Sequence, residues 1–225
     1  MTSVPLFPLP GCVLFPGIVL PLHVFEDRYR AMTRAVLGEP QSEQLIATAL
    51  LKRDFEPAYH TDSAPIHGTV CVARVIGHER LPDGRFNLVL LGFARARIAD
   101  EDRSDQFRRA TLVPVDDIED MDEDENTRVI EAVRALQAEC HFEPFGTRSA
   151  LDAFLAEGND LATMIDLIAY HVMSPMDCEL KQRVLSEPAV SVRARILLRY
   201  LRSAADSIRN ANDRPNTWPP MVSTN

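Results

Sequence analysis

Four places in this sequence hold side chains that could do chemistry together: Cys140-His141, His171 with Cys178, His60 with His67, and His78-Glu79. A thiol beside an imidazole could form a nucleophile–base pair, and two histidines with a third group could hold a metal ion. Spacing argues against each. Neighbouring residues of a helix point in divergent directions, so Cys140 and His141 do not pair by spacing alone. Ser174-Pro175 interrupts the helical register between His171 and Cys178. His60 and His67 share a loop without a visible third ligand. His78-Glu79 begins an H-E-x-x-H pattern, but position 82 is proline and the zinc motif fails. Ser186 and Lys181, five residues apart, are a coincidence of spacing.

Nucleotide chemistry is excluded more firmly. The only lysines, Lys52 and Lys181, each follow a leucine, so no phosphate-cradling G-K-[ST] loop exists. No G-x-G occurs, and no glycine is followed two residues later by serine, which removes the dinucleotide fingerprint and the nucleophile elbow. The expectation is a chain with no catalytic residue, metal or cofactor.

The elements follow from pattern. VPLFPLPGCVLFPGIVLPLHVF, Val4 to Phe25, is almost wholly apolar, but five prolines forbid a membrane helix and no basic residue precedes it. It reads as strands over Val4–Leu9 and Ile18–His23 joined by a loop from Gly11 to Gly17, in a soluble, cytoplasmic protein. A helix is expected over Glu26–Gly38, burying Phe25, Tyr29, Met32 and Val36, and a strand over Leu45–Leu51. Two β-branched runs around Pro82-Asp83-Gly84 read as a hairpin, followed by a strand over Phe107–Val115. Several strands with one helix argue for a closed or half-closed β-barrel.

The second half reads as helical. Val129, Val133, Leu136 and Cys140 form one stripe, and Leu161, Ile165, Ile168 and Val172 another, behind Asn159 and Asp160 as caps. A helix is expected from Ser174-Pro175 to Pro188, and a last one carries Val192, Ile196, Leu197, Tyr200 and Leu201. The net charge of −9 lies wholly in residues 116–225, and eight acids fall between Asp116 and Glu125. That run reads as a solvated linker leading into a helix, since a calcium loop would need a turn glycine. Arg195, Arg199, Arg202 and Arg209 read as a solvated helix face more readily than as a nucleic-acid contact, because no aromatic residues interleave. The expected division is a barrel over 1–115, an acidic linker over 116–125, a helical bundle over 126–209 and a polar tail over 210–225.

Three stretches then show a resemblance. PLFPLPGCVLFPGIVLPLHVFEDRYRAM, GTVCVARVIGHERLPDGRFNLVLLGFARARI and LIAYHVMSPMDCELKQRVLSEPAVSVRARILLRYL resemble the N-terminal domain of Lon protease and its stand-alone relatives, over about residues 4–203. The family's G-x-x-R-[VA]-x-[IV] strand is met by Gly92, Arg95 and Ile98. The resemblance implies an α+β fold, a PUA-like β-barrel followed by an α-helical bundle. It also implies a non-catalytic module that recognises protein substrates, with the ATPase and peptidase modules elsewhere. Expected partners are unfolded or exposed apolar protein segments and a AAA+ protease, as for an adaptor in proteolysis or quality control. RNA binding by the PUA-like fold is the alternative, disfavoured by charge. Val13, Leu14 and Phe15, in a loop between glycines, are the expected peptide-binding patch, with the competing reading that they fold back and close the barrel end. Glu26, Arg28, Tyr29 and Arg95 are expected to be structural, Arg28 tying the helix to the barrel.

Overall fold

The computed structural model describes residues 3–61, 63–140 and 160–212. Within them the chain is a mixed α+β structure with a six-stranded sheet and five α-helices. The strands are β1 (Ser3–Leu9), β2 (Val19–Val24), β3 (Leu45–Leu50), β4 (Thr69–Arg80), β5 (Phe86–Asp102) and β6 (Arg109–Val115). The helices are α1 (Asp27–Leu37), α2 (Glu123–Cys140), α3 (Leu161–Val172), α4 (Cys178–Ser186) and α5 (Val190–Asn212). His141, Asn159 and the tail beyond 212, all of which carried expectations, lie outside the described residues.

The hairpin forms where the β-branched runs predict it, with Gly84 at φ 82° in the turn. β5 is long because it serves three neighbours: its first part pairs with β2, its second with β6, and β4 runs beside both. Hydrogen-bonded pairings pass from β1 to β3, β4, β5 and β6 and return to β1. β1 and β3 pair in parallel, with β2 and α1 lying between them in sequence. Strand patterns alone do not distinguish parallel from antiparallel neighbours. Helix α1 buries Tyr29, Met32, Thr33 and Val36, while Phe25 stands before the helix and faces solvent, contrary to the expected apolar stripe.

The helix expected at Ser174-Pro175 starts later, at Cys178. The Ser174 hydroxyl accepts from the Met176 N–H at 3.1 Å and its carbonyl accepts from Asp177 at 2.9 Å, making a local turn that delays the helix. Helix α5 continues to Asn212, past the expected start of the polar tail.

The acidic run Asp116–Glu125 lies against the start of α5. Ile118 exchanges backbone hydrogen bonds with Pro188 and Val190, and Asp120 accepts from the Ser191 N–H at 2.9 Å and its hydroxyl at 2.6 Å. Asp122 and Glu125 cap α2 reciprocally, each side chain accepting the other's N–H. One apolar core runs through strands and helices alike, holding Phe7, Phe15, Leu88 and Leu90 together with Ile165, Ile168 and Leu197.

Candidate functional site

The loop between β1 and β2 is a plug. Val13, Leu14 and Phe15 are almost completely buried in the shared core, so the expected exposed patch at these residues is corrected to the folded-back reading. Two close approaches hold the plug. The Gly17 N–H donates to the Gly92 carbonyl, and the Gly92 N–H to that of Ile18, each at 2.9 Å. A Cβ on Gly92 would lie 2.3 Å from the Phe15 carbonyl oxygen, so only glycine lets the loop sit on β5. On the far side the Cys178 thiol donates to the Gly11 carbonyl at 3.0 Å, and Gly17 faces Thr163 of α3. A loop normally faces water; this one is covered by helices far away in sequence.

Three positions after Gly92, Arg95 points from β5 into the helical half. Its Nη2 donates to Asp166 of α3, its Nη1 to Asp117 at 3.0 Å, and its Nε to the Leu185 carbonyl at 3.2 Å. Arg193 of α5 is fully buried and completes a four-charge cluster, its Nη1 donating to Asp166 at 3.1 Å and its Nη2 lying 2.8 Å from Asp117. Burial holds the Asp166 carboxyl above the usual range against the opposing pull of Arg95 and Arg193. Buried except at Asp117, which is partly exposed, this cluster joins the strands to the helices.

Glu26, Arg28 and Tyr29 form a second tie. Arg28 pairs with Glu26 at 3.0 Å and donates to the Tyr59 carbonyl at 2.6 Å, its guanidinium stacked over the Tyr29 and Tyr59 rings. Tyr59 donates to Glu26 at 2.6 Å, and Tyr29 to the Pro8 carbonyl at 3.4 Å. Burial pushes the Tyr29 hydroxyl up to about 12, which keeps it protonated and donating at neutral pH. Among the described residues no cluster of His, Cys, Asp and Glu could hold a metal ion.

An exposed apolar patch lies elsewhere, on the outer face of β2, β5 and β4. Val19 of β2 stands opposite Leu91 of β5, which stands opposite Arg74 of β4. Phe93 stands two positions after Leu91, at the irregularity between Gly92 and Ala94, and its ring under Arg74 places it on the same face. Ile76 occupies the irregularity between Val75 and Gly77, which turns it outward. Val19, Ile76 and Phe93 are each about half exposed, at 50%, 49% and 46%. The Arg74 guanidinium lies over the Phe93 ring at 5.5 Å, a cation above an aromatic face beside aliphatic side chains. Among the described residues β2 pairs only with β5, so its other edge borders the patch without a partner strand. Strand alternation marks Val19 and Phe93 as one-faced, but only the helical cover of the opposite face shows that theirs is the open one.

Among the described residues no helix is long and apolar enough to cross a membrane. The chain is 26% identical over 212 residues to the Lon protease of Anaeromyxobacter dehalogenans and 27% identical over 212 residues to Lon protease 2 of Myxococcus xanthus. In both cases 92% of this chain is matched, and it spans 24% of the relative's length. Its fold matches the N-terminal domain of the Mycobacterium avium complex Lon protease with a TM-score of 0.65 at 18% identity, covering 89% of this chain and 98% of that one. It also matches a Lon N-terminal domain protein from Xanthomonas campestris with a TM-score of 0.59 at 20% identity, covering 89% and 99%. Residues 3–203 match the profile of the ATP-dependent protease La (LON) substrate-binding domain, and the chain belongs to that family.

Proposed function

We propose that the chain recognises protein substrates by binding exposed apolar segments of unfolded proteins on the outer face of β2, β5 and β4, without turnover of its own. The observation that carries this reading is the three-strand apolar patch of Val19, Ile76, Leu91 and Phe93 beside an unpaired strand edge. Contiguous apolar surface of this kind marks an interaction site, and an extended segment can add to a free edge by backbone hydrogen bonds. Family membership supports a substrate-recognition module, and a AAA+ protease of the Lon type is the partner that would act on what it captures. Nothing in the family match favours the RNA-binding alternative. The circuit of pairings through β1, β3, β4, β5 and β6 is what the expected PUA-like barrel requires, with the bundle packed on it and the cytoplasm as compartment. Glu26, Arg28, Tyr29 and Arg95 serve as braces in this reading, and Val13, Leu14 and Phe15 as the plug beneath the binding face.

The test is binding of a reduced, alkylated and therefore permanently unfolded protein, followed by fluorescence anisotropy. Phe93→Asp/Ile76→Asp is expected to abolish binding while the urea midpoint holds, whereas Leu14→Asp unfolds the chain. Unchanged binding by a folded Phe93→Asp/Ile76→Asp variant refutes the assignment.

A further inference from the structure

A second surface, on the opposite half of the molecule, has a different chemistry. Arg195, Arg199 and Arg202 of α5 follow one another at i, i+4 and i+7, one stripe about 10 Å long at 1.5 Å per residue. Arg183 of α4 faces them across a cleft of about 340 Å³ that it shares with Arg195 and Arg199. The cleft continues on either side, over Ile196 and Tyr200 in one direction and past Arg202 in the other. All four arginines are exposed, and among the described residues Arg183, Arg199 and Arg202 make no ion pair. Arg195 is turned back only onto Ser191, at 3.4 Å. The floor is apolar and fixed, because the Tyr200 hydroxyl accepts from the Ser174 N–H at 3.0 Å.

We propose that this groove between α4 and α5 docks an acidic amphipathic helix of a partner protein. Carboxylates spaced i, i+4, i+7 on that helix meet Arg195, Arg199 and Arg202, and its apolar residues lie on Ile196 and Tyr200. The charge pattern selects a carboxylate ligand over a polyphosphate. Glu187 and Asp206 stand at the groove's edges, and each is already engaged, Glu187 with the Ala189 N–H and Asp206 with Arg209. Asp120 lies near Arg195. These carboxylates, in a chain of net charge −9, repel a continuous phosphate backbone but leave separate cationic positions for individual carboxylates. The surface is distinct from the apolar sheet face, and the proposal does not depend on that assignment.

The probe is a short fluorescein-labelled helical peptide with glutamates at the three matching positions and leucines on the adjoining face, titrated with the full chain by anisotropy. Saturable binding is expected, lost in a matched glutamine peptide and weakened at least about tenfold in Arg199→Glu/Arg202→Glu. Arg199→Gln/Arg202→Gln, which neutralises without repelling, is expected to fall between, and equal urea midpoints identify the folded variants. Phe93→Asp is expected to leave this binding unchanged. No saturable binding, equal binding of the glutamine peptide, or insensitivity to the arginine changes overturns the proposal. So does single-stranded RNA that competes at lower concentration than the peptide through the same arginines, which reassigns the groove to nucleic acid.

Discussion

Asp166→Ala is the most informative single change in this molecule. The Asp166 side chain is 2% exposed and accepts from Arg95 and Arg193, whose side chains are 3% and 0% exposed. Its loss leaves two buried guanidiniums on one remaining carboxylate, Asp117, which is 31% exposed and already meets both through the same oxygen. The cluster passes from two positive and two negative groups to a net positive charge in a low-dielectric site. Breaking a buried pair from one side costs about 3–5 kcal/mol. For a chain of this size each kcal/mol lowers the melting temperature by roughly 2–4 °C, so the fall should be about 6–20 °C. Urea unfolding followed by far-UV circular dichroism measures it, with an unchanged m-value showing that the native and unfolded states are the same ones. Asp117→Ala should cost less, because solvent already screens that carboxylate. An apolar triple replacement, Arg95→Met/Asp166→Leu/Arg193→Met, should recover most of the loss, since the one charge it leaves without its partners, Asp117, is partly exposed and reaches solvent. A loss below about 1 kcal/mol for Asp166→Ala, the worth of a surface pair, would refute the claim that this cluster joins the two halves.

Two further outcomes are expected. Gly92→Ala places a methyl group 2.3 Å from the Phe15 carbonyl, so the plug must lift, and a destabilisation of about 1–3 kcal/mol is expected by urea titration. Asp120 is held below the ordinary carboxylate range by the Ser191 hydroxyl and N–H. A depressed folded value contributes stability that is present above the unfolded pKa, about 3.9, and lost as pH falls through the folded one. Asp120→Ala should therefore lower the urea midpoint at pH 7, and the difference from the parent chain should close on acidification below about pH 4. A gap that persists in acid would place its origin outside this carboxylate.

The legible parts of the fold were those with local causes. Proline and glycine placed β1, β2 and the loop between them, and β-branched runs around Pro82-Asp83-Gly84 placed the β4–β5 hairpin. The G-x-x-R spacing in β5 marked two residues with different tasks, Gly92 receiving the plug and Arg95 reaching the helices. The missed parts depend on contacts between distant residues. Arg95 and Asp166 are 71 positions apart, and nothing local pairs them. A signal was nonetheless present, because Asp166 interrupts the apolar run ATMIDLIAY on a helix, and a carboxylate among buried side chains needs a partner. Arg193, between the apolar residues of α5, gave the same sign. The open apolar face was hidden for another reason. In LVLLGF both faces of the strand are apolar, so alternation cannot say which one the helices cover.

The plug has a consequence for the order in which the chain is made. Gly11 meets Cys178, 167 residues further along, and Thr163 lies over Gly17. At about 5–20 residues per second, Val13, Leu14 and Phe15 leave the ribosome roughly 10–30 s before their cover is synthesised. Throughout that interval the nascent chain displays an unburied apolar segment of its own. That exposure ends only when the covering helices arrive.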